Sequence, residues 1–307
     1  LGHPTLNIVE LAKVNFPVGF QHWMFPVLFI GFAVLAGMWP FHTWAPTGHV
    51  AAPTAGSMLL AGVVMKLGAY GCLRVAMLLF PEGMREWQWA VALLAVIGIV
   101  YGAGVALVQR DFKFVIGYSS VSHMGFVLLG LATLNSIGLT GAVLQMFSHG
   151  IIAGLLFAVV GRMVYDRTHT RDFNDLETMQ VGKLLPFAGI TFVIAGVASM
   201  GLPGFSGFIA ELQVLMGAWA VFPKMTIVAG MGIVVGISRH DPCEHVLIGV
   251  ARHQVPVGEG GLAEGRQAVV PGGVGNNTRT ASNLNNIKHL RLPFSSCPHL
   301  WKTQFVE

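Results

Sequence analysis

Long apolar runs constrain this chain more than any other feature of its sequence. Five of them lie at residues 24–39, 56–80, 87–108, 114–134 and 138–164. A helix needs about 17 to 25 residues to cross a bilayer, and the first run is the shortest of the five. None shows the alternation of a membrane β-barrel strand, and only helices or closed barrels satisfy their backbone polar groups in lipid. The sequence therefore predicts an all-α, polytopic transmembrane helix bundle.

Two further features set the expected domain boundaries. Residues 185–222 form a longer apolar stretch that "GLPGFSG" interrupts, and a last apolar run at 225–236 stops early. Gly and Pro inside such a stretch predict a broken helix. Beyond residue 236 the sequence has no helical period and is rich in Gly, Pro, Asn and Arg. We expect an extramembrane lead-in at 1–23, the helix bundle at 24–236 and an irregular tail, disordered or out of frame, at 237–307.

Composition and charge fit a membrane protein. Only 10% of the residues are charged, against about 25% in a soluble domain. Basic residues occupy two connections, after the runs that end at 108 and 164: Arg110, Lys113, Arg167, Arg171 and Lys183. Because short loops rich in Lys and Arg stay in the cytoplasm, we expect both connections on that side. The net charge of +4 then reflects orientation, and no nucleic-acid partner is predicted.

Cysteine and histidine spacing predicts neither a metal site nor a disulfide framework. The three cysteines are odd in number and have no CxxC spacing, and the histidines of the tail fit no ligand pattern. The chain begins at Leu1 and has no signal-peptide pattern, which we interpret as a fragment.

Titratable residues inside the predicted spans are the candidate functional groups, because charges at membrane depth are costly and usually functional. Lys66, in "LLAGVVMKLGAYG", lies near the middle of its run, where a lysine with a movable partner can load and release a proton. His123 and His149 lie at a similar depth in the runs at 114–134 and 138–164. Glu211 follows the predicted helix break. Together these residues predict a proton path.

Small polar residues accompany the two histidines. Gln145 and Ser148 fall on the same helical face as His149, and Ser119, Ser120 and Ser122 stand close to His123. The alternative for each histidine is a purely structural role, as a core residue that donates a hydrogen bond to a neighbouring carbonyl. A third interpretation makes His123 and His149 the axial ligands of a haem in a membrane cytochrome.

Five ordered motifs between residues 24 and 236 carry a family resemblance. They are "WPFHTWAPTGHVAAPTAGSMLLAGVVMKLGAYGCLR", "DFKFVIGYSSVSHMGFVLLG", "LQMFSHGIIAGLLF", "YDRTHTRDF" and "GLPGFSGFIAEL". The sequence resembles the M-type antiporter-like subunit of respiratory complex I, NADH:quinone oxidoreductase, which is related to Mrp-type cation/proton antiporter subunits. The same motifs leave a Na⁺/H⁺ antiporter subunit as the alternative function.

The resemblance implies a proton-translocating subunit of the membrane arm. Its partners would be other membrane-arm subunits and the bilayer, in a bacterial inner membrane, and no redox cofactor would be bound by this chain. Protons would move along a central axis while quinone is reduced elsewhere in the complex. On the matching positions, Lys66, His123 and His149 belong to the axis, and Glu211 is its terminal acid. Further supporting positions are His42, His49, Lys113, Ser122 and Gln145.

The chain departs from the family pattern in two ways. Two inverted repeats, each with a broken helix, are implied, yet the lysine that usually precedes "PFHTW" is replaced by apolar residues around Leu35. Its glutamate partner on an earlier helix and the closing helices of the family are not found in the sequence. We therefore expect incomplete repeats and an incomplete first half-channel.

Overall fold

The computed structural model describes residues 7–179 and 185–248, and these residues form helices and their connections. Within them, five helical segments are long and apolar enough to cross a membrane: Val18–Ala36, Thr54–Met77, Pro81–Val108, Phe112–Ala132 and Ser136–Thr168. The predicted all-α class and the integral, multi-pass organisation are confirmed.

The helices are α1 (Ile8–Leu11), α2 (Val18–Ala36), α3 (Trp44–Ala51), α4 (Thr54–Leu59), α5 (Met65–Gly71), α6 (Pro81–Val108), α7 (Phe112–Ala132), α8 (Ser136–Ala158), α9 (Asp166–Thr168), α10 (Phe173–Thr178), α11 (Pro186–Ser199), α12 (Ser206–Val221) and α13 (Pro223–Ile248). Three π-helical segments continue α4, α5 and α8: Leu60–Val64, Cys72–Met77 and Val159–Tyr165.

Helix α2 begins at Val18, before the predicted start of the bundle at residue 24. The first turns of the helix contain the polar residue Gln21, so they do not read as part of an apolar run. Its side chain is buried because it donates to the carbonyl of Phe16 at 2.9 Å and accepts the backbone N–H of Glu82 at 3.0 Å. Gln21 thus binds one of the free N–H groups at the start of α6.

The last helix also differs from the expectation. Helix α13 continues to Ile248, whereas the apolar run ends at Gly236. The side chains of residues 237–248 and all of 249–307 lie outside the described residues. The predicted disorder of the tail therefore stays a prediction.

Glycines bring the helices that carry the candidate site close together. A Cβ added at Gly217 of α12 would lie 2.6 Å from the backbone nitrogen of Gly138 on α8. A Cβ at Gly130 of α7 would lie 2.8 Å from the carbonyl oxygen of Gly138 on α8. Small residues allow this backbone contact in membrane bundles, where packing replaces the hydrophobic drive. Helices α7, α8 and α12 are thereby held in one cluster.

Large apolar side chains cover the outer surface of the bundle. Trp23, Phe147 and Ile190 are 70%, 67% and 62% exposed. A soluble protein avoids contiguous apolar patches of this kind, whereas lipid solvates them. This surface agrees with a chain embedded in a bilayer.

Candidate functional site

His123 and Glu211 form an ion-pair contact inside the bundle. His123 lies in the middle of α7 and Glu211 in the second turn of α12, and His123 Nδ1 is 3.1 Å from Glu211 Oε1. The two side chains are 14% and 7% exposed. Gln145 of α8 completes the group, because its Nε2 lies 3.2 Å from Glu211 Oε1 and 3.3 Å from His123 Nδ1. Three helices therefore meet at one buried polar cluster.

Ser199 binds the other nitrogen of His123, and the sequence analysis missed it. Its Oγ lies 3.2 Å from His123 Nε2. Ser199 is the last residue of α11, just before the interruption at "GLPGFSG". Its position at the end of a broken helix is the one signal in the sequence that could have identified it.

The interruption between α11 and α12 shapes the space around the Glu211 carboxylate. Gly201 has φ +70° and Gly204 has φ +110°, a region that residues with a Cβ avoid. A Cβ on Gly201 would lie 2.8 Å from Glu211 Oε2. Glycine is required there both by the backbone angle and by the carboxylate.

His123 has a partner for each of its ring nitrogens in every protonation state. With hydrogen on Nδ1 it donates to Glu211, and Nε2 accepts from the Ser199 hydroxyl. With hydrogen on Nε2 it donates to Ser199, and Nδ1 accepts from the Gln145 amide. When both nitrogens carry hydrogen, Glu211 and Ser199 accept them. The imidazole can therefore gain, lose or relocate a proton without leaving a buried ring nitrogen unpaired.

His149 lies beside this cluster. Its ring centroid is 4.8 Å from that of His123, at an interplanar angle of 34°. The residue is buried, and within the described residues Nε2 has no protein hydrogen-bond partner. Two rings in direct contact leave no room for a haem between them, and both nitrogens of His123 are bound. This arrangement does not fit axial ligation of one haem by these two histidines.

Ser148, which the sequence places next to His149, has a different neighbour. Its Oγ is 2.8 Å from Oγ of Ser206, the first residue of α12. This bond ties α8 to the start of the helix that carries Glu211.

Lys66 lies against α8 near the histidines. A Cβ at Gly150, the residue after His149, would lie 3.7 Å from Lys66 Cε. Lys66 Nζ donates to the carbonyl of Ala61. That carbonyl is five residues earlier, in the π-helical segment Leu60–Val64, and such segments often occur at functional sites. In the described part of the chain, Lys66 makes no side-chain hydrogen bond to either histidine.

A cavity of about 50 Å³ reaches the cluster from one side. Most of its wall is apolar and comes from α6, α7 and α13. Its polar end is formed by Ser119, Ser122, His123, Ser199 and Glu211. Ser122 donates to the carbonyl of Ile99 at 2.9 Å, so its hydroxyl hydrogen joins α7 to α6.

Lys113 is not a loop residue, which corrects the orientation argument. It lies in the first turn of α7 and is 4% exposed. Nζ donates to the carbonyl of Ala52 at 2.9 Å and to Ser57 Oγ at 3.4 Å. A buried lysine gives no information on which loop is cytoplasmic. Lys183, which the same argument used, lies outside the described residues.

His42 and His49 are buried between the spans, in and next to α3. None of their ring nitrogens has a protein hydrogen-bond partner in the residues that the structure describes. The His49 ring stacks on Phe157 at 4.8 Å. Burial, reinforced by the charges of Lys66 and Lys113, lowers the pKa of His49 to about 4.

Known proteins resemble this chain over most of its described length. Residues 2–236 match the family model described as NADH:quinone oxidoreductase/Mrp antiporter, TM. NADH-quinone oxidoreductase subunit M of Rickettsia prowazekii (strain Madrid E) is 44% identical over 230 residues, which cover 75% of this chain and 46% of that protein. The chain thus spans about half the length of the relatives that it matches.

Solved structures share the fold. A chain of respiratory complex I from Thermus thermophilus with bound NADH has a TM-score of 0.75 at 28% identity, over 80% of this chain and 52% of that chain. A chain of the Mrp complex from Dietzia sp. DQ12-45-1b has a TM-score of 0.71, over 80% of this chain and 46% of that chain. At 21% identity, the second likeness shows the fold alone.

A double-mutant cycle can test whether the Glu211 carboxylate requires a glycine at position 201. Gly204→Ala should destabilise the chain by about 1–2 kcal/mol, the cost of a left-handed backbone at a residue with a Cβ. Gly201→Ala should cost more, because overpacking against the carboxylate adds about 1–3 kcal/mol. Thermal unfolding in detergent measures both variants.

The same two variants in a Glu211→Ala background separate backbone strain from overpacking. There the extra cost of Gly201→Ala from overpacking should disappear, since the contact between residue 201 and the Glu211 carboxylate is gone. An excess cost of Gly201→Ala that persists without Glu211 would show that the carboxylate does not require this glycine.

Proposed function

Because the chain belongs to the NADH:quinone oxidoreductase/Mrp antiporter transmembrane family, we propose that it translocates protons as a membrane-arm subunit of a respiratory NADH:quinone oxidoreductase. The family membership expected from its motifs is confirmed. Relatives named NADH-quinone oxidoreductase subunit M favour this complex over other members of the family.

The contact of His123 with Glu211, Gln145 and Ser199 carries the proposal. A proton path through a dry region needs groups that change charge without leaving buried polar atoms unpaired. His123 meets this requirement in each of its protonation states. Its Nδ1 lies 3.1 Å from a carboxylate oxygen, within the distance at which a proton moves along a hydrogen bond.

The proposed sequence of groups joins Lys66, His149, His123 and Glu211. Lys66 lies against α8 at Gly150, the residue after His149, while His149 contacts His123 and His123 binds Glu211. A proton that leaves His123 Nδ1 is taken up by the Glu211 carboxylate. The cavity at Ser199 and Glu211 supplies a route between this end of the path and the outside of the bundle.

The proposal assigns the redox chemistry to other subunits. This chain would hold no cofactor, and its movement of protons would be coupled to quinone reduction elsewhere in the complex. Its partners would be other membrane-arm subunits and the lipid of a bacterial inner membrane. His42, His49 and Lys113 would support the path from the α3 side of the bundle.

A Na⁺/H⁺ antiporter subunit is the second candidate, because the family model covers both activities. The two functions differ in their driving force. Sodium-driven pH change in vesicles without NADH would favour the antiporter, and acidification that requires NADH and quinone would favour the respiratory enzyme.

Replacing Glu211 by glutamine tests the acid at the end of the path. Glu211→Gln keeps the shape but removes the proton-accepting group, so proton transfer through the chain should slow by about 100-fold. Initial rates of NADH-driven acidification in inverted vesicles, normalised to assembled complex on native gels, measure the effect. Glu82→Gln, on a half-exposed surface pair with Arg85, is the matched control. Equal acidification by both variants would remove Glu211 from the path.

Lys66 should need its exchangeable proton and not only its charge. An arginine keeps the charge but does not release its proton in a protein, so Lys66→Arg should transport as poorly as Lys66→Ala. The same vesicle assay applies, with Lys224→Arg at an exposed position as the control. Full transport by Lys66→Arg would mean that a fixed positive charge suffices.

A further inference from the structure

The carboxyl end of helix α3 is bound by side chains from three other parts of the chain. Pro53 follows Ala52, the residue after the end of α3, and prevents the helix from continuing, since the residue before a proline is held extended. Ala52 is extended accordingly, with ψ 148°. The last carbonyls of α3 therefore have no helical partner and require partners from outside the helix.

Three of these carbonyls accept hydrogen bonds from side chains of other segments. His49 O accepts from Ser57 Oγ at 2.7 Å, on α4. Val50 O accepts from Arg171 Nη1 at 3.3 Å, and Ala52 O from Lys113 Nζ at 2.9 Å. Two cations thus face the negative end of the α3 dipole, where positive charge is stabilising.

Arg171 also connects this helix end to the loop before α7. Its Nε lies 3.3 Å from Asp111 Oδ2, while Asp111 Oδ1 accepts the backbone N–H of Lys113 at 2.7 Å. The backbone N–H of Phe112 donates to the Arg171 carbonyl at 3.1 Å. The guanidinium carbon of Arg171 lies 5.1 Å from the centre of the Tyr165 ring. Arg171 is therefore fixed on several sides at once.

The two cations are suited to different tasks. Arginine holds its proton and presents several N–H groups in a planar fork, so Arg171 can bind Asp111 and the Val50 carbonyl together. A lysine ammonium is a single charged group and cannot span both. Lys113 can exchange its proton while Arg171 keeps the end of α3 in place.

We infer that Arg171 is a positioning residue for His49: with Lys113 it binds the carboxyl end of α3 and fixes the short helix that carries His49. The inference rests on the proposed proton path. It assigns no proton transfer to Arg171 itself. Loss of Arg171 would free the Val50 carbonyl and the Asp111 carboxylate and release the end of α3.

Chemical labelling of His49 tests the inference independently of transport. The His49 side chain is fully buried, so diethyl pyrocarbonate should modify it slowly in native membranes. In Arg171→Ala the labelling rate, measured by mass spectrometry, should rise about tenfold or more, since a hydrogen bond to a charged group has been lost. Arg162→Ala is the matched control, because Arg162 is exposed and, among the described residues, its ion pair is with Asp166. The exposed His169 serves as an internal standard in each sample.

Transport and rescue complete the test in the assembled enzyme. Arg171→Ala should lower NADH-driven acidification at normal assembly, and added guanidinium should restore both transport and protection of His49. Arg171→Lys should be intermediate in both. Three results would overturn the inference. His49 could stay as protected in Arg171→Ala as in the unaltered chain, or transport could stay normal although His49 is strongly labelled. Both Arg171 variants could also fail to assemble. If Glu211→Gln transports normally, the proposed path fails, and the labelling result still decides whether Arg171 holds α3.

Discussion

The contact between His123 and Glu211 is the interaction on which the proposed site depends. A carboxylate inside a membrane bundle is expensive unless a charged or hydrogen-bonding partner meets it. Glu211 reaches this position because α12 begins after an interruption, and Gly201 leaves space for its carboxylate. Gln145 and Ser199 then satisfy the remaining donors and acceptors around the imidazole. The interruption between α11 and α12 thus places Glu211 where it can pair with His123.

Close helix packing keeps this pair in register. Gly138 and Gly217 let the backbones of α8 and α12 touch, and the bond between Ser148 and Ser206 fixes the start of α12 against α8. Gln145 and His149 project from the same α8 toward α7 and α12. A shift of α8 along α12 would therefore change the contacts of both residues with His123.

Sequence reasoning predicted the features that depend on local pattern. The spans, the break at "GLPGFSG" and the titratable groups Lys66, His123, His149 and Glu211 follow from hydropathy and from the cost of charge in lipid. Helix α2 starts at Val18, before the expected start of the bundle at residue 24, because the polar Gln21 interrupts the apolar pattern while its side chain accepts a free N–H group of α6. The burial of Lys113 and the contacts of Arg171 could not be predicted, since their partners are 61 and 121 residues away in the chain.

A substitution at His123 tests the central claim most directly. Glutamine can still donate to Glu211 and accept from Ser199, but it cannot carry a second proton. In His123→Gln, with the complex assembled and NADH oxidation retained, the number of protons pumped per NADH should fall. Pumping at the unaltered ratio would contradict the account, because hydrogen bonding alone would then suffice at the position where we place the proton carrier.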